Sequence, residues 1–378
     1  GAITAPTLSP VGATPVGAAP VGGSLSPITL MPITMMPTTM MPITSSPSLS
    51  QLHQSILSIA GDTIFDEGSP QQSAFHFMTQ LDNQTTGNVP QRFSMVTAYF
   101  ALTDTTSSTG GSLPSYLKES ECNWPMVSCT NNLVTQLSMP RQQLNGTIPP
   151  EIANLKELQQ LDLAGNNMAG PFPPHLYELT NIKTLSLENN QLTGTLTDGV
   201  GNWTTLEFLA LGNNAIGGNI PSALVESDVS ALRFLSLTRN QIDGQIPSTI
   251  TLPNLYYLDL SFNQLTGPAP SNLTQSLLHL YLDHNNLEGV IPSWTVPSLE
   301  SLFINNNNFS GGLPASFHLL YPQLINLYIQ HNDGLTVTLN SSICDMDIFF
   351  AGNLVHLGAD CTICTCVYLC GRCYNTTA

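Results

Sequence analysis

Charge is what this chain of 378 residues has least of: only 9% of them are Asp, Glu, Lys or Arg, against about 25% in ordinary proteins. Bases are the scarcer sign, eight Lys and Arg facing 25 Asp and Glu, for a formal net charge of −17. So few cations cannot neutralise a run of phosphates, which sets aside nucleic acid as a partner and disfavours an anionic membrane surface. No uninterrupted apolar stretch reaches the roughly 18 residues of a membrane span, so none is expected. A nucleophile elbow, a phosphate-cradling loop and a zinc-protease helix are also missing. The expectation is therefore a chain that is not an enzyme and needs no metal or other cofactor. It opens at Gly1 with neither Met nor a charged-then-apolar leader, the pattern expected of a mature secreted product.

What keeps so uncharged a surface wet is expected to be sugar. Seven N-x-[ST] sequons stand at Asn83, Asn145, Asn202, Asn272, Asn308, Asn340 and Asn375, each an N-glycan acceptor in a secretory pathway. The eight cysteines form two groups, Cys122 and Cys129 midway and Cys344, Cys361, Cys364, Cys366, Cys370 and Cys373 near the end. An even, clustered set suits disulfides in an oxidising, extracellular compartment. Two C-x-x-C pairs in the second group admit zinc, but Cys366 interrupts a four-ligand pattern, and disulfides are the expected state. Six cysteines allow 15 connectivities, which the sequence leaves open.

A repeat dominates the middle of the chain. One unit reads L-x-x-L-x-L-x-x-N-x-L-x-G-x-[IL]-P, filled by Leu232, Leu235, Leu237, Asn240, Ile242, Gly244, Ile246 and Pro247, and again by Leu277, Leu280, Leu282, Asn285, Leu287, Gly289, Ile291 and Pro292. Its Asn recurs at 166, 190, 214, 240, 263, 285, 307 and 332, in steps of 22 to 26 residues, inside the leucine-rich-repeat range. An atypical first unit has Gln142 in that place. The L-x-L stretch is extended, so its leucines point to one face and the intervening residues to the other. The Asn sits where the strand turns, its amide able to satisfy backbone groups the coil would otherwise bury unpaired. One unit cannot bury its leucines alone, so stacked units must share a core. The expected fold is an α/β repeat solenoid, a curved superhelix with a parallel β-sheet.

Such a stack needs end covers. Ser69-Pro70 predicts a helix start, with Ala74, Phe77, Met78 and Leu81 on one face; a second helix is predicted from near Pro90, with Phe93, Val96 and Phe100 as its stripe. Upstream of the first unit, Cys122-Asn-Trp-Pro-Met-Val-Ser-Cys129 resembles the C-x-W-x-G-V-x-C cap of plant-type extracellular leucine-rich-repeat proteins, with Met126 for the usual Gly. That class includes receptor-kinase ectodomains and polygalacturonase inhibitors. Gln91-Arg-Phe-Ser-Met-Val-Thr-Ala-Tyr-Phe100 with Glu121-Cys-Asn-Trp124 is still more similar to the cap of diatom and related algal repeat proteins. The resemblance covers roughly residues 65 to 340. It implies a Cys122–Cys129 disulfide with Trp124 packed on the first rung, and it leaves the partner open, because the class binds peptides, glycans, enzymes and other repeat proteins.

The domain reading is an extended Pro/Thr/Met-rich arm over residues 1–50, an N-terminal helical cap over 51–131, about nine rungs over 132–340 and a Cys-rich cap over 341–378. The arm has no charged residue, holds five of the eleven methionines, and carries Pro10, Pro15, Pro20, Pro27, Pro32, Pro37, Pro42 and Pro47, all but one step being five residues. Such proline density forbids helix and central strand and predicts a polyproline-like arm of up to about 155 Å at about 3.1 Å per residue. Read blandly, it is a linker bearing O-glycans on Thr and Ser. Its Ile, Leu, Val and Met content argues for an assembly arm that lies in a groove of another copy, and a head-to-tail contact that does not close gives a filament.

The register also lists outward positions on the concave face. Phe208, Phe234, Tyr257 and His279 form one column; Tyr281, Phe303 and Tyr328 fall in the next, with Asp259 beside them and Asp283, His284 and His331 further along. Rings in such a ridge stack on sugars or anchor a protein contact, or reflect only the strand preference for aromatics. Asp259 and Asp283 suit a shared Ca²⁺, or simple compensation by Arg239. Asp283 and His284, as sequence neighbours, point apart along a strand and make no catalytic pair. The leading expectation is an extracellular structural glycoprotein, secreted to a cell surface or matrix, whose arm and repeat surface contact other copies. The alternatives are an ectodomain that binds peptide or polysaccharide, and an inhibitor of a secreted cell-wall hydrolase.

Overall fold

The computed structural model describes residues 47–82, 88–103, 114–225, 229–314, 317–336 and 356–358. Three helices come first: α1 (Pro47–Ala60), α2 (Pro70–Gln80) and α3 (Val89–Leu102). The last two start where the sequence predicts. Ser69 Oγ accepts from Gln72 N at 3.0 Å and Asn88 Oδ1 from Gln91 N at 3.1 Å, each satisfying one of the amides a helix start leaves unpaired, and each followed within two residues by a proline that has no amide to satisfy. Phe93, Val96 and Phe100 are buried as expected, and so are Ala74, Phe77 and Met78. Leu81 is not: it is the C-cap of α2 and 53% exposed. The boundary of the arm also moves. Pro47 opens α1, because a proline at a helix start loses no hydrogen bond. The other arm prolines, Pro10 to Pro42, lie outside the described residues.

The helices are pinned to the solenoid by two polar side chains of α3. Gln91 Oε1 accepts from Val134 N at 2.8 Å, while its Nε2 donates to Asn132 O at 3.0 Å and Glu121 Oε1 at 2.6 Å. Arg92, 2% exposed, meets the Asp82 carboxylate at 2.8 and 3.1 Å and donates to the carbonyls of Glu119 and Leu117. Its guanidinium lies 5.4 Å from the Trp124 ring centre. Trp124 itself is buried, and Cys122 is bonded to Cys129, both as the resemblance implies.

Beyond the helices an eleven-stranded sheet draws its strands from Val127 to Gly358. Val127–Thr130 pairs antiparallel with Leu133–Ser138, and every later strand joins in parallel. The strands are Gln160–Asp162, Thr184–Ser186, Phe208–Ala210, Phe234–Ser236, Tyr257–Asp259, His279–Tyr281, Ser301–Phe303, Asn326–Tyr328 and His356–Gly358. Pairing has no offset: Phe208 faces Phe234, Phe234 faces Tyr257, and Tyr257 faces His279. The inward leucines, among them Leu161, Leu185, Leu209, Leu235, Leu258, Leu280, Leu302 and Leu327, are at most 1% exposed and belong to one continuous core with the helical cap. The sheet outlasts the nine predicted rungs, since His356–Gly358 adds a strand inside the span assigned to the Cys-rich cap. Cys344, Cys361, Cys364, Cys366, Cys370 and Cys373 lie outside the described residues.

The recurring Asn does what its position suggests, and more. In each case Oδ1 accepts a backbone amide of the rung before it: Asn190 from Met168, Asn240 from Ile216, Asn285 from Leu265, Asn332 from Phe309, all at 3.0 Å. Nδ2 donates to a carbonyl of its own rung and to one of the previous rung, as Asn285 does to Leu282 O at 3.1 Å and Leu260 O at 3.0 Å. Gln142 plays no such part. It is exposed and turns back to Pro140 O, and Asn166 takes the amide of Gln142 itself at 2.9 Å. One rung further round, the glycines of the L-x-G turn, Gly170 to Gly311, hold φ between +71° and +96°, where a side chain is strained.

Asn285→Ala should therefore cost about 1–3 kcal/mol, because it strands the amide of Leu265 in a dry interior, while the carbonyls of Leu260 and Leu282 each keep a donor, from Asn263 and Asn307. Asn286→Ala, one residue on and exposed, should stay within about 0.5 kcal/mol of the parent. Urea denaturation of the two variants checks the pair, and equal losses would contradict the role given to the ladder.

Candidate functional site: the outer face of the long sheet

Each rung presents three side chains on the sheet face opposite the leucines, followed by one residue at the turn. The first position holds Phe208, Phe234, Tyr257 and His279 on successive rungs. The second holds Ala210, Ser236, Asp259, Tyr281, Phe303 and Tyr328. Strand alternation alone predicts both columns, and the register confirms them. The structure adds that they form one ridge. Phe208 and Phe234 stack at 4.3 Å between ring centres, and Phe234 and Tyr257 at 4.4 Å, with interplanar angles of 10°. At Tyr257 the ridge steps across to the second position, reaching Tyr281 at 5.4 Å, then Phe303 at 4.8 Å and Tyr328 at 4.3 Å. The step has room because the second position is small at Ala210 and Ser236, and the first becomes small at Ser301.

This geometry changes the chemistry expected of the rings. Both faces of Phe234 are covered by neighbours, and Phe234 and Tyr257 are each 8% exposed. In that stretch the ridge offers ring edges to solvent, so a sugar has no free ring face on which to stack. Phe208, Tyr281, Phe303 and Tyr328 are half-buried and offer more.

Polar groups line the ridge. Asp259 Oδ1 accepts from Ser261 N at 3.0 Å and Ser261 Oγ at 2.6 Å, and Tyr257 stands beside it on the same strand. Burial nevertheless raises its pKa to about 6, against the pull of those bonds and helped by the charge of Asp283. Asp283 is 6% exposed and is likewise raised by burial, although Arg239 lies near and His284 Nδ1 sits 2.8 Å from its Oδ2, contrary to the expectation that the two point apart, because His284 is in a left-handed turn and not on the strand. Burial lowers His279, whose Nδ1 is 3.2 Å from Ser301 Oγ. Tyr257 and Tyr281 are both pushed up by burial. No acid–base pair facing a nucleophile emerges from these contacts.

A further column was not legible in the sequence. From Asn190 onward the residue before each ladder Asn takes φ between +53° and +57°, from Asn189 through Arg239, Phe262 and His284 to His331. A bulky residue is rarely found there. The result is a second stack beside the first: the Arg239 guanidinium lies 4.1 Å from the Phe262 ring centre, and Phe262 stacks on His284 at 4.0 Å. The sequence signal is its fixed place beside the Asn, which marks the turn and not the left-handed backbone.

Of the sequons, Asn145, Asn202, Asn272 and Asn308 are exposed, and none of the four lies on a strand of the long sheet; Asn83, Asn340 and Asn375 lie outside the described residues. No helix among the described residues is long and apolar enough to cross a membrane.

The family model for the Leucine Rich Repeat matches residues 181–203, 231–252, 254–275, 276–295 and 298–320. Among solved structures, a plant ice-binding protein shares 23% identity over 72% of this chain and 96% of its own, with a TM-score of 0.51. The BIR3–SERK2 complex from Arabidopsis thaliana shares 34% identity over 41% of this chain and 83% of its own, with a TM-score of 0.36. PEPR1 with AtPEP1 shares 25% over 64% of this chain, with a TM-score of 0.42, and this chain spans only 41% of its length. The chain therefore contains leucine-rich repeats, which the family model recognises in five segments.

Because the folded-state pKa of Asp259 lies above the unfolded value of about 3.9, the native state holds that proton more tightly. The stability this confers is fully present below about pH 4 and is lost as pH rises through about 6. Asp259→Asn keeps an acceptor for Ser261 and removes the charge, so its melting temperature should exceed the parent's at pH 7.5 and match it at pH 4. Thermal melts across that range check the sign; a variant less stable at pH 7.5 would reverse it.

Proposed function

We propose that this chain is a secreted glycoprotein that makes protein–protein contacts through the outer face of its long sheet, and that its partner is another copy of itself, engaged through the N-terminal arm. The observation that carries the reading is the continuous ridge of six rings from Phe208 to Tyr328, spanning six rungs, or about 24 Å at about 4.8 Å per rung. A ridge of ring edges suits an extended peptide that brings flexible apolar side chains, and methionine adapts to irregular aromatic surfaces. The charge-free arm supplies five methionines and a regular series of prolines, a composition that docks on aromatic surfaces in an extended form. Among the described residues the four exposed sequons stand off the strands of the long sheet, which keeps their glycans from the ridge.

Occupied ring faces favour peptide over polysaccharide as the alternative ligand. The hydrolase-inhibitor reading has no particular residue in its support. No enzyme activity is proposed, and N-glycans, with O-glycans on the arm, are the only covalent additions expected.

Sedimentation of the full chain, of a chain lacking residues 1–46, and of a Tyr281→Ser/Phe303→Ser variant tests this reading. The parent should form assemblies that grow with concentration, and either change should return it to a monomer. Assemblies of unchanged size in both would overturn the arm-and-ridge contact. A monomeric parent would assign the ridge to a foreign protein.

A further inference from the structure

The third outward position carries a file of a different kind. On three successive rungs it holds Asp283, Asn305 and Gln330, each following a core residue, Leu282, Ile304 and Ile329, that is fully buried on the other face. Ladder bonds from His284 N to Asn305 O at 3.0 Å and from Asn306 N to Gln330 O at 2.9 Å keep the three in step, one rung or about 4.8 Å apart. All three are 5–6% exposed.

Their oxygens do not balance. Asn305 Oδ1 and Gln330 Oε1 are buried without a hydrogen-bond donor, each a cost of about 1–3 kcal/mol if left so. Next to them Asp283, whose Oδ2 meets His284 Nδ1 at 2.8 Å, and half-buried Asp259 one rung back set two carboxylates against the guanidinium of Arg239, whose plane is engaged on Phe262. Water would supply donors to the two amides but no charge to the carboxylates. A cation answers both deficits.

We propose that Asp283, Asn305 and Gln330 form a Ca²⁺ site within the side-chain layer of the outer face. The donor set is all oxygen, one carboxylate and two amide carbonyls, which is the chemistry of a hard cation and not of zinc. An ion on the Asn305 rung, with the side chains of Asp283 and Gln330 leaning toward it from rungs about 4.8 Å away on either side, takes an oxygen from all three at about 2.4 Å. With so few charged ligands the site belongs with the weak extracellular ones, at a dissociation constant on the order of 10⁻⁴–10⁻³ M. The sequence concealed this set, because it directs attention to Asp259 and Asp283, and the amides declare themselves only through burial. The inference is independent of the self-assembly reading.

Terbium luminescence on the full chain tests it, since Tyr281 and Tyr328 lie on the two outer rungs of the site and sensitise a bound lanthanide. Emission excited through tyrosine should rise saturably with TbCl₃ and be displaced by millimolar CaCl₂, and CaCl₂ should raise the melting temperature. Asn305→Leu/Gln330→Leu removes both orphan oxygens without adding a polar group; it should fold without the ion, lose the emission and lose the calcium shift. Gln330→Glu should tighten calcium binding about tenfold by adding ligand charge. Emission and calcium shift unchanged in the double-leucine variant would place the ion elsewhere on this acidic chain and overturn the proposal. So would a parent indifferent to calcium, or a Gln330→Glu variant that binds it no better.

Discussion

The side-chain amide of the asparagine that recurs from Asn166 to Asn332 is the interaction on which everything else in this molecule depends. A coil that turns every 22 to 26 residues must bury backbone groups at each turn, and neither leucine packing nor the sheet ladder can pair them. The asparagine does so by reaching into the rung before it, as Asn285 does to the amide of Leu265 and the carbonyl of Leu260. Each rung is therefore locked to the last by polar bonds as well as by apolar contact. The in-register sheet follows, and from the sheet follow columns of side chains one rung apart.

That spacing turns isolated residues into surfaces. A phenylalanine on one rung is unremarkable; Phe208, Phe234 and Tyr257 held at the same height on three rungs must stack, because the rise between rungs is close to the thickness of a ring contact. The same constraint brings Asp259 toward Asp283 and lines Asp283 up with Asn305 and Gln330. The left-handed residues before the ladder asparagines form their own file, and Arg239, Phe262 and His284 stack in it. The helical cap serves this arrangement by closing the first rung: Gln91 pairs with the edge strand at Val134, and Arg92 ties α3 to Asp82 and the Trp124 segment.

Much of this was legible in the sequence because it depends on period. The inward leucines, the asparagine ladder and the two aromatic columns follow from strand alternation and a fixed unit length, and the cysteine cap from its resemblance. What escaped depends on three-dimensional neighbours. Helix α1 went unread because Pro47 continues the five-residue proline series of the arm, although a helix start accepts proline equally well. The partners of Arg92 lie 10 to 32 residues away in sequence, and nothing local pairs them. Whether a ring offers its face or its edge is decided by the rungs on either side, and so is the burial of Asn305 and Gln330, two residues whose composition reads as ordinary polar surface.

Hydrogen exchange of the folded chain, read at single amides, tests the central claim most directly. If the ladder organises the solenoid, the amides held by asparagine oxygens, such as those of Met168, Ile216, Leu265 and Phe309, should exchange only through large-scale opening and should share one protection level along the stack. Exchange at those positions as rapid as in the exposed turns, or protection that ends at each rung independently, would contradict it.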